Sequence, residues 1–280
     1  TVNHVKTVTV PRSWTQDLSF SGLYLIFSFV LNEPDRPYVE TFKLETENVK
    51  HIRILLYGPV GAGKSSFISS VRSILRGKMS NLALSNYVTH KVNKGKESIY
   101  PFVFIDFMGL NEDSDKGVRL DDVRMAMEGH VKEDYVFNPV APLNKDSPFY
   151  NPSPSPEQKV HVLVCAYSAN VLSMNNSVLQ KMKAIREAAS SLGIPQLGIL
   201  THVDEACPET GKDLKNVYKS KHIKKKMQDF SAALGIPLNC ILPVKSYSEE
   251  IQLNEKVDAL ILSALRMMLD FGDEFIEYKL

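Results

Sequence analysis

An α/β fold, a mainly parallel sheet with helices on both faces, is what the sequence predicts, and three observations predict it. Short apolar runs at 52–57, 100–107, 160–167, 197–200 and 241–244 read as strands. Stretches with helical spacing of apolar residues fall between or after them. A glycine-rich turn joins the first run to the first helix. Short strands alternating with amphipathic helices imply right-handed crossovers and a sheet covered on both sides.

The elements follow in order. Residues 1–50 read as an N-terminal attachment, with Val5 to Val10 and Leu23 to Leu31 as candidate strands and a loop punctuated by Pro34 and Pro37. The main domain spans 51–270. Ile52 to Tyr57 enters the glycine turn, and Ser66 to Leu75 continues at helical spacing. An insert at about 111–158 carries acidic residues and then Pro139, Pro142, Pro148, Pro152, Pro154 and Pro156. Prolines at that density are incompatible with a helix interior or a central strand. The insert therefore reads as a helix over about Asp121 to Glu133 and an extended surface loop. Val178, Leu179, Met182, Ile185 and Leu192 share one helical face, which stops at Gly193-Ile194-Pro195. A further helix is expected from about Leu214 to Leu234, stopping at Gly235-Ile236-Pro237. The last stripe is Val257, Leu260, Ile261, Ala264, Leu265 and Met268, with 271–280 as a C-terminal tail.

Bulk properties exclude several classes. The 280 residues are 44% hydrophobic and 23% charged, as in a globular chain with a sizeable core. A net charge of +1 gives no whole-molecule field for nucleic acid or an anionic membrane. The most lipid-like stretch, Leu23 to Leu31, falls short of the ~20 residues a membrane helix needs. Cys165, Cys207 and Cys240 show neither zinc-site nor disulfide-framework spacing, so a reducing, cytoplasmic setting is expected. Lys219, Lys221, Lys224, Lys225 and Lys226 make a basic run with few aromatic neighbours, which reads as a solvated helix face.

The glycine turn carries the chemistry. Gly58-Pro59-Val60-Gly61-Ala62-Gly63-Lys64-Ser65 matches the phosphate-loop pattern, with a strand before it and a helix after it. Such a loop turns successive N–H groups toward phosphate oxygens, and the following helix adds the positive end of its dipole. Lys64 would neutralise the β- and γ-phosphates, Ser65 would ligate Mg²⁺, and Ser66 would meet the α-phosphate. Asp106-Phe107-Met108-Gly109 ends the second apolar run, where Asp106 can hold Mg²⁺ and the Gly109 N–H can reach a γ-phosphate.

Thr201-His202-Val203-Asp204 then points to the base. Asp204 can accept two hydrogen bonds from guanine, which adenine cannot offer, although a helix N-cap is the alternative role. Thr201 would tie this segment to the phosphate loop, and the His202 ring would cover the base. Lys245-Ser246-Tyr247 falls where a further loop would meet the base. Thr89 is the candidate switch threonine on Mg²⁺. Together these predict a Ras-like P-loop domain that binds GTP or GDP with Mg²⁺. Leu110 stands where such enzymes place a water-orienting glutamine, and Val60 crowds the γ-phosphate position. Slow hydrolysis, assisted by Glu112, Asp113, a partner or homo-oligomerisation, is therefore expected. A scaffold in which nucleotide is structural or absent is the competing reading.

The segments HIRILLYGPVGAGKSSFISSVR, FVFIDFMGL, YVFNP, GILTHVDE and VDALILSALRMML together resemble the interferon-induced protein 44 family over about residues 51–270. The resemblance implies a cytoplasmic, interferon-induced protein linked to antiviral defence. It also implies nucleotide contacts at Gly58, Gly61, Gly63, Lys64, Ser65, Asp106, Gly109, Thr201 and Asp204, with His202 as a family trait.

Overall fold

Ile52–Tyr57 (β1) is an apolar run, and an apolar run this continuous must be covered on both faces. It lies at the centre of a six-stranded sheet in the order β2-β3-β1-β4-β5-β6. The computed structural model describes residues 35–80, 88–95, 98–107, 109–111, 118–133, 135–138, 141–171 and 175–280. The other strands are Val88–Lys94 (β2), Ser98–Asp106 (β3), Val162–Ser168 (β4), Gln196–Thr201 (β5) and Ile241–Pro243 (β6). All neighbours pair in parallel except β2 with β3, which is antiparallel. The five expected strands are thus present within a residue or two. The sixth, β2, reads Val-Thr-His-Lys-Val-Asn-Lys and has too many polar side chains to announce itself. As an edge strand it needs only one covered face, and lysines along it discourage pairing with another chain.

The helices are Asp35–Thr41 (α1), Lys64–Arg76 (α2), Leu120–Met127 (α3), Asn176–Ser191 (α4), Val203–Ala206 (α5), Pro208–Lys212 (α6), Lys221–Leu234 (α7) and Glu255–Lys279 (α8). On one sheet face α8 crosses β1 and β4, with α1 and α2 against it. On the other, α4 contacts both α3 and α7. No helix among the described residues is long and apolar enough to cross a membrane.

Several elements differ from the sequence reading. The loop expected around Pro37 is α1, because proline is tolerated in a helix's first turn. Buried Asp35 pairs with Arg266 of α8 at 2.8 Å, and the Arg266 guanidinium lies over the Tyr38 ring at 4.6 Å. The tail expected over 271–280 is helix as far as Lys279. A Cβ at Gly272 would come within 2.5 Å of Ile52 Cγ2, so glycine lets α8 lie close on β1. The helix expected from Leu214 begins instead at Lys221, capped by the Ser220 hydroxyl accepting from the Ile223 N–H. The candidate strands before residue 35, and Glu112 and Asp113, lie outside the described residues.

The described residues of the proline-rich insert are anchored to the domain. Its helix ends at Met127, sooner than expected, because Gly129 takes a left-handed φ of 85°. Beyond it Tyr135, Phe137 and Leu143 are buried, Leu143 N–H donates to Asp122 Oδ1 at 2.7 Å, and the His130 and Tyr150 rings stack at 5.2 Å. His161 closes the insert onto the sheet. Its Nδ1 accepts from the Arg53 N–H at 3.0 Å, so Nε2 carries the proton and donates to Pro156 O at 3.0 Å. Burial pushes the imidazole down to about 4, against partial compensation from the Pro156 carbonyl. Its folded value lies below the ordinary ~6.5, so the unfolded chain binds the extra proton first. The stability that His161 contributes is complete above pH ~6.5 and is lost as pH falls toward ~4, by roughly 3 kcal/mol. Urea unfolding between pH 4 and 7 is expected to show this loss in the wild type, and His161→Gln to lack most of it. Equal pH slopes in the two proteins would contradict it.

Candidate functional site

The site forms at the carboxyl ends of the parallel strands, where a crossover opens a crevice. β1 ends at Tyr57, and Gly58 turns the chain with φ 150°. A Cβ at Gly58 would sit 2.2 Å from Ala166 O of β4, so the loop must begin with glycine. Gly61 and Gly63 also take positive φ, both 78°, and α2 starts at Lys64. The loop thus leads directly into a helix N-terminus, with Ala62 buried and Ser66 exposed.

Lys64 is buried and folds back over the loop, its Nζ 3.3 Å from both Gly58 O and Pro59 O. Burial lowers its pKa, and nearby Asp106 opposes that shift. Ser65 donates to Asp106 Oδ2 at 2.7 Å, while Asp106 Oδ1 is buried with no hydrogen-bond partner. Burial raises the Asp106 carboxyl, and the Ser65 hydroxyl and Lys64 ammonium pull it back. A hydroxyl and a carboxylate side by side are hard oxygen donors of the type Mg²⁺ selects, and the unpartnered Oδ1 adds acceptor capacity. The residues therefore fit that ion. Bound there, Mg²⁺ would neutralise phosphate charge.

Thr89 does not join them. It pairs with Ile105, and side chains alternate along a strand, so it faces away from Asp106 on the opposite side of the sheet. The expected metal role for Thr89 has no support in this geometry. Residues 81–87, just before it, lie outside the described residues.

Gly109 and Leu110 close against the phosphate loop. Leu110 N–H donates to Gly58 O at 2.9 Å, and Val60 N–H donates to Leu110 O at 3.3 Å. A Cβ on Gly109 would fall 2.6 Å from Val60 Cα, so this approach also requires glycine. The Leu110 side chain is buried while that of Val60 is 70% exposed. Leucine at this position is thus a packing residue as well as a replacement for a polar one.

The base-side segment is built from β5 and β6. The Thr201 hydroxyl lies 2.9 Å from Ala62 O and 3.2 Å from Tyr167 O, bringing this segment onto the phosphate loop as expected. His202 takes φ 56°, the one positive φ outside glycine among the described residues, and its Nδ1 is 2.9 Å from Thr201 Oγ1. Left-handed backbone at a non-glycine residue is uncommon and marks a constrained turn. Here it swings the ring beside Gly63. Asp204 sits in the first turn of α5, and its Oδ2 pairs with Lys245 Nζ at 3.0 Å. Ser246 has its hydroxyl buried with no partner. Tyr247 fixes this loop, its N–H donating to Ser70 Oγ at 2.9 Å and its hydroxyl donating to Asp258 Oδ1 at 2.5 Å while accepting from Asn254 N–H at 2.6 Å.

Sequence reasoning missed Glu250, which holds Lys245 from the other side at 2.9 Å. No linear pattern signals it, because the contact depends on how the loop after β6 folds back.

Strand order, phosphate loop and the Ser65–Asp106 pair define an α/β domain of the Ras-like P-loop fold. No protein-family model matches the chain. It is 35% identical over 240 residues to interferon-induced protein 44 of Homo sapiens and of Pan troglodytes, covering 82% of this chain and 54% of each relative. It is 32% identical over 255 residues to interferon-induced protein 44-like of Homo sapiens, covering 86% of this chain and 54% of that protein. The chain belongs to the interferon-induced protein 44 family and spans about half the length of these relatives. Among solved structures, Toc33 from Arabidopsis thaliana in complex with GDP and Mg²⁺ aligns with a TM-score of 0.48 and 14% identity, covering 93% of this chain and 95% of that one.

Proposed function

We propose that this chain is a guanine-nucleotide-binding member of the interferon-induced response, holding GTP or GDP with Mg²⁺ in a cytoplasmic setting and hydrolysing GTP slowly. The observation that carries this reading is the junction at Thr201, whose hydroxyl lies 2.9 Å from Ala62 O. It sets the Asp204 segment against the loop that ends in Lys64 and Ser65. One ligand with a base at one end and phosphates at the other spans both. Asp204 favours guanine, since a carboxylate can accept from two N–H donors and adenine presents none that match.

Slow hydrolysis follows from Leu110. A buried leucine orients no water, so the usual route to an aligned nucleophile is missing. A second copy of the chain is the assisting partner proposed first, in which case specific activity rises with protein concentration. The scaffold reading draws on the same leucine, whose backbone closes the phosphate loop onto the strap after β3. ATP binding is the weakest reading, because Asp204 disfavours adenine.

Isothermal titration with GDP, GTP and ATP in Mg²⁺, followed by product analysis, separates these readings. GTP and GDP are expected to bind more tightly than ATP, with phosphate release far below that of a stimulated GTPase. A folded protein with no affinity for any of the three would leave the scaffold reading standing, and rapid unassisted hydrolysis would refute the role given to Leu110.

A further inference from the structure

Lys245 follows β6 and stands between two carboxylates, 3.0 Å from Asp204 Oδ2 and 2.9 Å from Glu250 Oε1. Side-chain exposures of 22% for Lys245 and 18% for Asp204 put the pair largely out of water, where ion pairs are screened less. Glu250 is itself fixed, its Oε2 accepting from the Ser248 N–H at 2.9 Å. Burial would raise its carboxyl, but that N–H and Lys245 hold it down, to about 2. Burial likewise works against the Lys245 ammonium, and its two carboxylate partners more than compensate. The backbone keeps the two loops in register, with Val244 N–H donating to Leu200 O at 2.8 Å. A chain of contacts therefore runs from Ser248 through Glu250 and Lys245 to Asp204.

We infer that Lys245 is a positioning residue for base selection, holding the Asp204 carboxylate in the one orientation that meets a base with two adjacent N–H donors. This rests on the reading of Asp204 as the guanine acceptor. An ionised carboxylate has about four acceptor sites, so a bond from Lys245 to Oδ2 leaves Oδ1 and one Oδ2 lone pair for the base. Lys245 also offsets the Asp204 charge, so the loop does not bring two uncompensated carboxylates, Asp204 and Glu250, toward one another. With Lys245 gone, Asp204 is free to turn into solvent or away from Glu250, and its alignment with a pair of donors is lost. Guanine offers that pair at N1 and at its exocyclic amine, whereas hypoxanthine offers N1–H alone. The ratio of GDP to IDP affinity therefore reports how Asp204 is aimed, independently of anything at the phosphates.

The test is titration of GDP and IDP in Mg²⁺ into the wild-type chain and into Lys245→Met, Lys245→Arg and Glu250→Gln, each checked for folding by circular dichroism. Lys245→Met is expected to weaken GDP about tenfold and to bring the GDP-to-IDP ratio close to one, as expected when a charged hydrogen-bond partner is removed. Lys245→Arg is expected to restore most of the ratio, and Glu250→Gln to lie between. A wild-type ratio that survives unchanged in Lys245→Met overturns this inference and leaves guanine recognition by Asp204 intact. Tighter GDP binding by Lys245→Met also overturns it, since Lys245 would then be competing with the base. A wild-type chain that does not distinguish GDP from IDP overturns both. Should Lys245→Met not fold, an unchanged ratio in Glu250→Gln decides against it.

Discussion

Lys64→Ala is expected to weaken GTP and GDP binding on the order of a thousandfold, because it removes the charged partner of a desolvated phosphate group. The magnitude follows from where the ammonium lies. Lys64 is buried, and its ammonium contacts the carbonyl oxygens of Gly58 and Pro59 in the loop, each at 3.3 Å. Burial already lowers its pKa. An ammonium so poorly solvated gains more from a phosphate than a surface lysine would, because water competes less for it. The same substitution should leave the nucleotide-free fold at least as stable near neutral pH, since it removes a charge that burial disfavours. Titration and thermal unfolding of the same variant thus separate the two effects. A Lys64→Ala protein that keeps GTP affinity within tenfold of the wild type would remove this residue from phosphate binding.

The parts of this site that lie in a line along the chain were legible in the sequence. The loop at 58–65 is a contiguous pattern between a strand and a helix, and its glycines are required by local backbone geometry. Asp106 was legible because it ends an apolar strand, and Asp204 because it follows another. What depended on long-range contact was hidden. Glu250 reaches Lys245 only through the fold of a loop, and the packing role of Leu110 shows only once its backbone is seen bonded to Gly58 and Val60. The fold divides in the same way. Strands buried on both faces show as apolar runs, but β2 has one covered face and a mostly polar sequence, so its pairing with β3 left little trace. The facing of Thr89 was hidden for that reason: without the strand register, nothing says that it faces away from Asp106. Gly272 shows the same dependence on long-range contact. A glycine that costs helix propensity is kept where α8 meets Ile52, and packing outweighs propensity there.

Gly58→Ala is expected to cost about 3–5 kcal/mol of folding stability and to abolish nucleotide binding in whatever protein remains folded. Two penalties add at this position. The φ of 150° lies outside the backbone region that an L side chain readily adopts, and a Cβ would stand 2.2 Å from the carbonyl oxygen of Ala166. That oxygen belongs to β4, the central strand paired with β1, so it cannot move aside as the tip of a flexible side chain would. The loop must shift instead, and three things shift with it. The carbonyl of Gly58 accepts from Leu110 N–H at 2.9 Å and lies 3.3 Å from Lys64 Nζ, and Ala62, four residues on, contacts the Thr201 hydroxyl. Gly61→Ala is the matched comparison. Its φ is also positive, at 78°, but nothing lies within 4 Å of the added Cβ, so backbone strain of about 1–2 kcal/mol is all that it should meet. Chemical denaturation of both variants measures the difference. If Gly58→Ala is no less stable than Gly61→Ala, the close approach to Ala166 does not set the shape of the loop.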